Sequence, residues 1–324
     1  MKLSIIIPVY NVELYIESCL LSIINQTIEF SFEIILIDDC GKDNSMTIVK
    51  NIIDKYSHSH TFNIISHTRN QGLSAARNTG VKNAKGDYIF FLDSDDKLAP
   101  NSLNLFNDYL KRYGDGDFFI GNYETIGGQN NYRLNTSHII YNNNKEILNA
   151  YINNEWYVMA CGKFIKRNFF VSNNLWFPLR KLHEDLYFSF LLAFSANKMI
   201  VIQENVYIYR IHGNSISKSP KRKNYIDIYW TYNKIFNYIQ ATGSNLYNSF
   251  LISIFFGHTL TITVSKLKLN EKKVIINWIK KDLKFFSYKN RNLTDKIKLL
   301  LLNIPTHILV YIFKILNYVL RIKE

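Results

Sequence analysis

The feature that most constrains this chain is the way its first hundred residues switch between two hydrophobic periods. Leu3 to Val9 and Phe32 to Ile37 are short apolar runs bounded by polar residues, the pattern of strands covered on both faces. Between them, Leu20, Ile23 and Ile24 recur at helical spacing. Ile48, Val49, Ile52, Ile53 and Tyr56 then mark an amphipathic helix with Ser45 as its expected N-cap. Phe62 to Ile65 is a third strand, a helix runs from Gly72 to about Ala84, and Tyr88 to Leu92 is a fourth strand. A βαβαβ order predicts a mostly parallel sheet with helices on both faces. Residues 115 to 215 are mixed, with strands at Asp117 to Ile120 and Met199 to Ile202 and a helix from Glu184 to Ala196. After about residue 220 the pattern is helical and basic, so we expect an α/β domain over 1–217 and a helical region over 218–324.

Polar residues fall at the carboxyl ends of these strands, where open α/β sheets bind ligands. Asn11 follows the first strand, Asp38 and Asp39 the second, and Asp93, Asp95 and Asp96 the fourth. Asp38 and Asp39 alone are equally compatible with turn chemistry; three ends converging favour a site. Carboxylates crowded on the turn Asp93-Ser94-Asp95-Asp96 repel unless a cation sits among them. Oxygen ligands suit Mg²⁺ or Mn²⁺ bridging to a diphosphate. The sequence holds neither a G-x-G-x-x-G loop nor a Walker-type G-K-[ST] loop, so phosphate charge must be met by metal and basic side chains.

Four stretches together carry a resemblance. Ser4-Ile5-Ile6-Ile7-Pro8-Val9-Tyr10-Asn11, the Asp38-Asp39 pair, Asn70-Gln71-Gly72-Leu73-Ser74-Ala75-Ala76-Arg77-Asn78, and Phe91-Leu92-Asp93-Ser94-Asp95-Asp96 resemble, in order and spacing, the family 2 glycosyltransferases of GT-A (Rossmann-like) fold. The likeness is close over about residues 3 to 100 and looser to about 217. It implies that Pro8, Tyr10 and Asn11 line a uridine pocket with Asp39 bonding the uracil. It also implies that Asn70 and Arg77 lie near the donor, Arg77 by the ribose or diphosphate, and that Asp93 and Asp95 hold the metal. One departure is Asp39-Cys40-Gly41-Lys42, where the family often has Asp-Asp-Gly-Ser.

An inverting transfer needs a carboxylate to take the acceptor hydroxyl's proton. His183-Glu184-Asp185-Leu186 resembles the family's Glu-Asp motif ahead of an apolar helix, which implies Asp185 as general base and Glu184 as its neighbour at the acceptor. The alternative is that both acids simply favour a helix N-terminus. Tyr209 to Ser217 resembles a loop closing over the diphosphate, with Arg210, His212 and Ser215 as phosphate contacts; an ordinary surface loop is the other reading. Trp156 and Trp176 read first as core, with stacking on acceptor sugar faces as the other reading.

Composition bounds the rest. Hydrophobic residues at 47% and charged residues at 20% support a packed core. Three scattered cysteines fit no zinc or disulfide framework and suit a reducing cytoplasm; no signal peptide is expected. Net charge is +13, and residues 260 to 324 hold 14 Lys/Arg against 4 Asp/Glu, so that region's partner should be anionic. Leu299 to Leu320 is broken by Asn303, Pro305, His307, Lys314 and Asn317, so a transmembrane span is not expected. His307, Lys314, Asn317 and Arg321 share one stripe, which suits a helix lying in a bilayer interface. A helix packed on the catalytic domain, or on a second subunit in a homo-oligomer, is the alternative. No nucleic-acid motif organises the charge.

The expected activity is therefore hexosyl transfer from a UDP-sugar to a glycan or polyprenyl-diphosphate-linked acceptor in bacterial surface polysaccharide assembly. The expected location is cytoplasmic, peripheral on the inner face of the cell membrane. Rivals are a sugar nucleotidyltransferase, which would carry a Gly- and Arg-rich N-terminal loop, and a non-catalytic nucleotide-sugar-binding protein.

Overall fold

Leu3, Ser4, Ile5, Ile6 and Ile7 are all 0% exposed, odd and even positions alike. Successive side chains of a strand point to opposite faces, so both faces of this strand are covered. A computed structural model describes residues 2–58, 60–128, 131–211, 221–243, 247–286 and 291–312. The chain divides into two compact units, Met1–Ser215 and Ile216–Glu324.

In the first unit the elements run β1 (Lys2–Val9), α1 (Ile16–Ile24), β2 (Ser31–Asp38), α2 (Ser45–Tyr56), β3 (Thr61–Ser66), α3 (Leu73–Asn83) and β4 (Tyr88–Phe91). There follow β5 (Lys97–Leu98), α4 (Ser102–Tyr113), β6 (Phe118–Ile126), β7 (Ile140–Tyr141), α5 (Asn144–Ile152), β8 (Lys163–Lys166), α6 (Arg167–Ser172), α7 (Glu184–Ser195) and β9 (Met199–Arg210). One sheet joins them in the order β3-β2-β1-β4-β8-β6-β9-β5, with β7 also on β9. β3, β2, β1 and β4 are parallel, as the alternating pattern predicts. Beyond β4 the sheet is mixed: β8 runs antiparallel to both β4 and β6, while β6 and β9 are parallel.

Pro8 sits inside β1 without breaking it. Ile6 accepts from Leu92 on the β4 side, and residues two apart face the same neighbour. The N–H that Pro8 lacks therefore falls where β4 has already ended, since the β1–β4 register stops at Ile6 and Phe91. Ser45 corrects one sequence expectation. It is the first residue of α2, Asn44 is the N-cap, and the Ser45 hydroxyl instead accepts from the Val12 N–H at 2.8 Å and donates to Asp43 at 2.6 Å. It thus ties the loop after β1 to the loop after β2.

The second unit, among its described residues, is helical: α8 (Arg222–Ala241), α9 (Asn248–Val264), α10 (Leu269–Leu283) and α11 (Leu293–Asn303). Its core is aliphatic and aromatic, including Ile235, Leu251, Phe255, Ile275 and Ile279, each 0–1% exposed. Buried Lys272 donates to the carbonyls of Thr263 (2.8 Å) and Ser265 (2.7 Å), placing a cation where α9 ends.

Close packing of α3 on β1 depends on one glycine. A Cβ at Gly80 would lie 2.2 Å from Ile6 Cγ2, a core atom with nowhere to move. Gly80→Ala is therefore expected to destabilise the protein by about 1–3 kcal/mol. A denaturant midpoint equal to wild type would contradict this packing.

Candidate active site

The turn after β4 carries three acids in three different surroundings. Asp96 is 1% exposed; it accepts from the Tyr207 hydroxyl at 2.6 Å and from the Arg210 N–H at 2.7 Å. Burial, then the charges of Asp93 and Asp95, push its carboxyl up to about 8. Asp96 is thus the anchor that straps the turn to β9. Asp93 and Asp95 remain half-buried, and the Asp95 carbonyl accepts from Arg210 Nε at 2.9 Å. Arg210 also lies over the Tyr15 ring at 5.3 Å, so its guanidinium is held beside the acidic turn.

Arg77 links that turn to α7. Its side chain is 3% exposed, and it donates through Nη2 to Asp93 at 2.7 Å and through Nη1 to Glu184 at 2.8 Å. The guanidinium is raised well above its ordinary value: burial works against the charge, and the neighbouring Asp93, Cys161 and Glu184 outweigh it. Asp185 follows Glu184 in the first turn of α7, where it accepts from the Leu186 N–H at 3.0 Å. Burial and the adjacent Glu184 charge raise Asp185 to about 7. Arg77 and Lys163 pull the other way. Lys163, in β8, is 0% exposed, donates to the carbonyls of Tyr157 and Met159, and is drawn down to about 7 by burial.

At the carboxyl end of β2 stands Asp39, 2% exposed. Its Oδ1 accepts from the Gln71 N–H at 2.8 Å and its Oδ2 from the Gly72 N–H at 2.8 Å, so it fixes the loop that starts α3. His67 Nδ1 lies 2.7 Å from the same Oδ1, and His67 Nε2 lies 3.0 Å from the Thr79 hydroxyl. A carboxylate only accepts, so Nδ1 carries a proton and donates it to Asp39. Asn11 has a left-handed backbone (φ 52°) and accepts from the Lys42 N–H at 2.7 Å. Tyr10 is 45% exposed at the end of β1 and Asn70 is exposed on the loop that Asp39 holds.

The structure thus brings Asp93, Asp95, Arg210, Arg77, Glu184 and Asp185 into one connected cluster, with Pro8, Tyr10, Asn11, Asp39 and Asn70 at the neighbouring strand ends. Both terminal nitrogens of Arg77 serve carboxylates, Asp93 and Glu184. His212 and Ser215 lie outside the described residues. Trp156 is buried at 3% exposure. Residues that sequence reasoning passed over include His67, Tyr207 and Lys163, together with Asn78. The Asn78 amide donates to the Phe177 carbonyl (2.9 Å) and accepts from its N–H (3.0 Å), clamping the lead into α7 onto α3.

Glycosyl transferase family 2 matches residues 4–172, more than half of the chain. The chain belongs to that family. Among curated relatives, it is 34% identical over 227 residues to glycosyltransferase GlyA of Streptococcus pneumoniae, covering 67% of this chain and 32% of that protein. It is 31% identical to the putative glycosyltransferase EpsH of Bacillus subtilis, covering 68% and 64%. A poly(ribitol-phosphate) beta-glucosyltransferase of Bacillus spizizenii is 31% identical, over 65% of this chain and 32% of that one. The matched stretch spans less than two thirds of the length of each. Among solved structures, residues 1–349 of S. aureus TarS align with TM-score 0.67 at 21% identity, covering 88% of this chain and 80% of that one. The fold is GT-A.

Among the described residues no three His, Cys, Asp or Glu side chains gather as a closed metal cage. Two acids on one turn nevertheless fit a Mg²⁺ or Mn²⁺ that takes its remaining oxygens from a diphosphate. Burial is the main cause of the rise of Asp96; the charges of Asp93 and Asp95 add to it, and they are the negative field such an ion would offset.

Because Arg77 is the shared partner of two acids, Arg77→Met should destabilise the protein by about 3–5 kcal/mol. Arg77→Lys should recover only part, since one ammonium cannot reproduce a two-pronged contact. A urea midpoint unchanged in the Met variant would remove Arg77 as the link.

Proposed function

We propose that this chain is an inverting glycosyltransferase that moves a hexose from a UDP-sugar to a hydroxyl of a glycan or polyprenyl-diphosphate-linked acceptor. The proposed setting is bacterial surface polysaccharide assembly at the inner face of the cell membrane. The observation that carries this reading is the single guanidinium of Arg77 joining the acidic turn to the head of α7. It sets a carboxylate of raised pKa, Asp185, within one cluster of the Asp93–Asp96 turn. The UDP and UDP-GlcNAc complexes of TarS support the choice of nucleotide, and the poly(ribitol-phosphate) beta-glucosyltransferase relative supports the choice of a surface-polymer setting.

In the proposed step Asp185 accepts the proton of the acceptor hydroxyl as that oxygen forms a bond to the anomeric carbon. The bond from that carbon to the β-phosphate oxygen breaks, and its electron pair leaves with UDP. Attack from the face opposite the leaving group inverts the centre. Arg210, held over the acidic turn, meets charge growing on the diphosphate. Tyr10 and Asn11 border the nucleoside, with the loop held by Asp39 fixing its other side. A divalent ion on Asp93 and Asp95 would supply further charge stabilisation of the leaving group.

Three measurements test this. A general base works only as the carboxylate, so an acid raised to about 7 makes activity climb with pH through about 7 and then level. Below that the rate should fall about tenfold per pH unit. Asp185→Asn should cost about 10²–10⁴ in turnover while UDP-sugar binding is retained. Near-normal UDP release by that variant would remove Asp185 from the reaction, and pyrophosphate release from UTP and a sugar 1-phosphate, without UDP release from the UDP-sugar, would point to nucleotidyl transfer. Separately, chelation with EDTA should suppress turnover and Mn²⁺ should restore it, with Asp95→Asn needing more Mn²⁺ for half-maximal rate. Full activity after exhaustive chelation would dispose of the metal.

A further inference from the structure

Helix α11 is apolar on two opposite sides. Leu299 and Leu302, at 4% and 2% exposure, pack inward. Leu293 (73%), Ile297 (47%) and Leu300 (64%) stay exposed. At about 100° per residue these three fall within roughly 60° of arc, on the side away from the buried pair. The helical path resumes after Pro305, and there Ile308 (43%) and Tyr311 (67%) are exposed while Leu309 and Val310 are buried. Scattered exposed leucines are ordinary on any surface; a row of them on successive turns marks a contact face.

Charge identifies the partner. Ile216–Glu324 holds 19 of the 39 Lys and Arg but only 5 of the 26 Asp and Glu, so it carries the chain's whole positive surplus. The single acid of α11, Asp295, is 2% exposed and turned into the fold, where it takes the Ser249 hydroxyl at 2.5 Å and lies at the Asn292 cap. The outward face therefore shows aliphatic groups with exposed Lys296 beside them and no carboxylate of its own helix. A second copy would bring the same positive charge to the contact and be repelled. A surface that is both apolar and anionic meets the requirement, and no helix among the described residues is long and apolar enough to cross a bilayer.

We infer that the outward face of α11 docks on the surface of an anionic lipid bilayer. Leu293, Ile297 and Leu300 enter the headgroup–acyl boundary and exposed Lys296 meets a lipid phosphate. This inference is independent of the transfer chemistry, and its test uses no donor. The full chain is floated with phosphatidylcholine vesicles or with vesicles containing about one third phosphatidylglycerol. Flotation should occur with the anionic vesicles only and weaken with salt. The double variant Ile297→Glu/Leu300→Glu should bind at least about tenfold less with an unchanged melting curve. Leu300→Gln, which adds no charge, should shift binding in the same direction and provides a second reading if the double variant melts early. Equal binding to both vesicle types, or wild-type flotation by the variants, overturns the inference. So does a wild-type dimer in light scattering that the variants convert to monomer without any vesicle binding.

Discussion

The buried guanidinium of Arg77 is the contact on which the cluster depends. A charge removed from water costs several kcal/mol unless partners repay it, and here Asp93 and Glu184 do so at 2.7 and 2.8 Å. The two acids come from separate elements, one after β4 and one at the start of α7. Each would repel its own neighbours, Asp95 in one case and Asp185 in the other. The arginine therefore relieves two acidic turns at once and fixes the distance between them. Hydrophobic packing could hold α3 against the sheet without it, as Gly80 against Ile6 does, but packing is indifferent to where carboxylates end up.

Surroundings then divide the acids by task. Asp96 and Asp185 are both raised by burial and by a neighbouring carboxylate, to about 8 and about 7. Asp96 is closed in by the Tyr207 hydroxyl and the Arg210 N–H, so its function is mechanical. Asp185 accepts one backbone N–H and keeps accepting capacity, the state its proposed role as base requires. Similar carboxyls thus acquire different work from hydrogen bonding alone. At the end of β2 Asp39 is engaged in the same mechanical sense by Gln71, Gly72 and His67, and this fixes the path of the loop bearing Asn70.

How much of this is legible in the sequence follows from the range of each interaction. Unbroken apolar runs reveal β1, β2 and β4 because a strand buried on both faces imposes its composition locally. The acids at the strand ends are legible for the same reason: the topology of a parallel sheet sends them to one edge. β8 was not legible, since its four residues Lys163 to Lys166 begin and end in lysine and give no strand period. Lys163 reads as solvent-facing until the carbonyls of Tyr157 and Met159 are seen to enclose it.

Arg77 shows the limit most clearly. Its motif could be found, but its partners lie 16 and 107 residues away in sequence, and nothing in the neighbourhood of Arg77 distinguishes a phosphate contact from a buried ion pair. The same holds for Ser45, where a capping position was the local expectation and a tether to Val12 is the tertiary outcome. Local sequence specifies which residue types a site can use. Long-range pairing decides which of them remain free to touch a ligand, and in this chain that decision passes through the one side chain that two distant acids share.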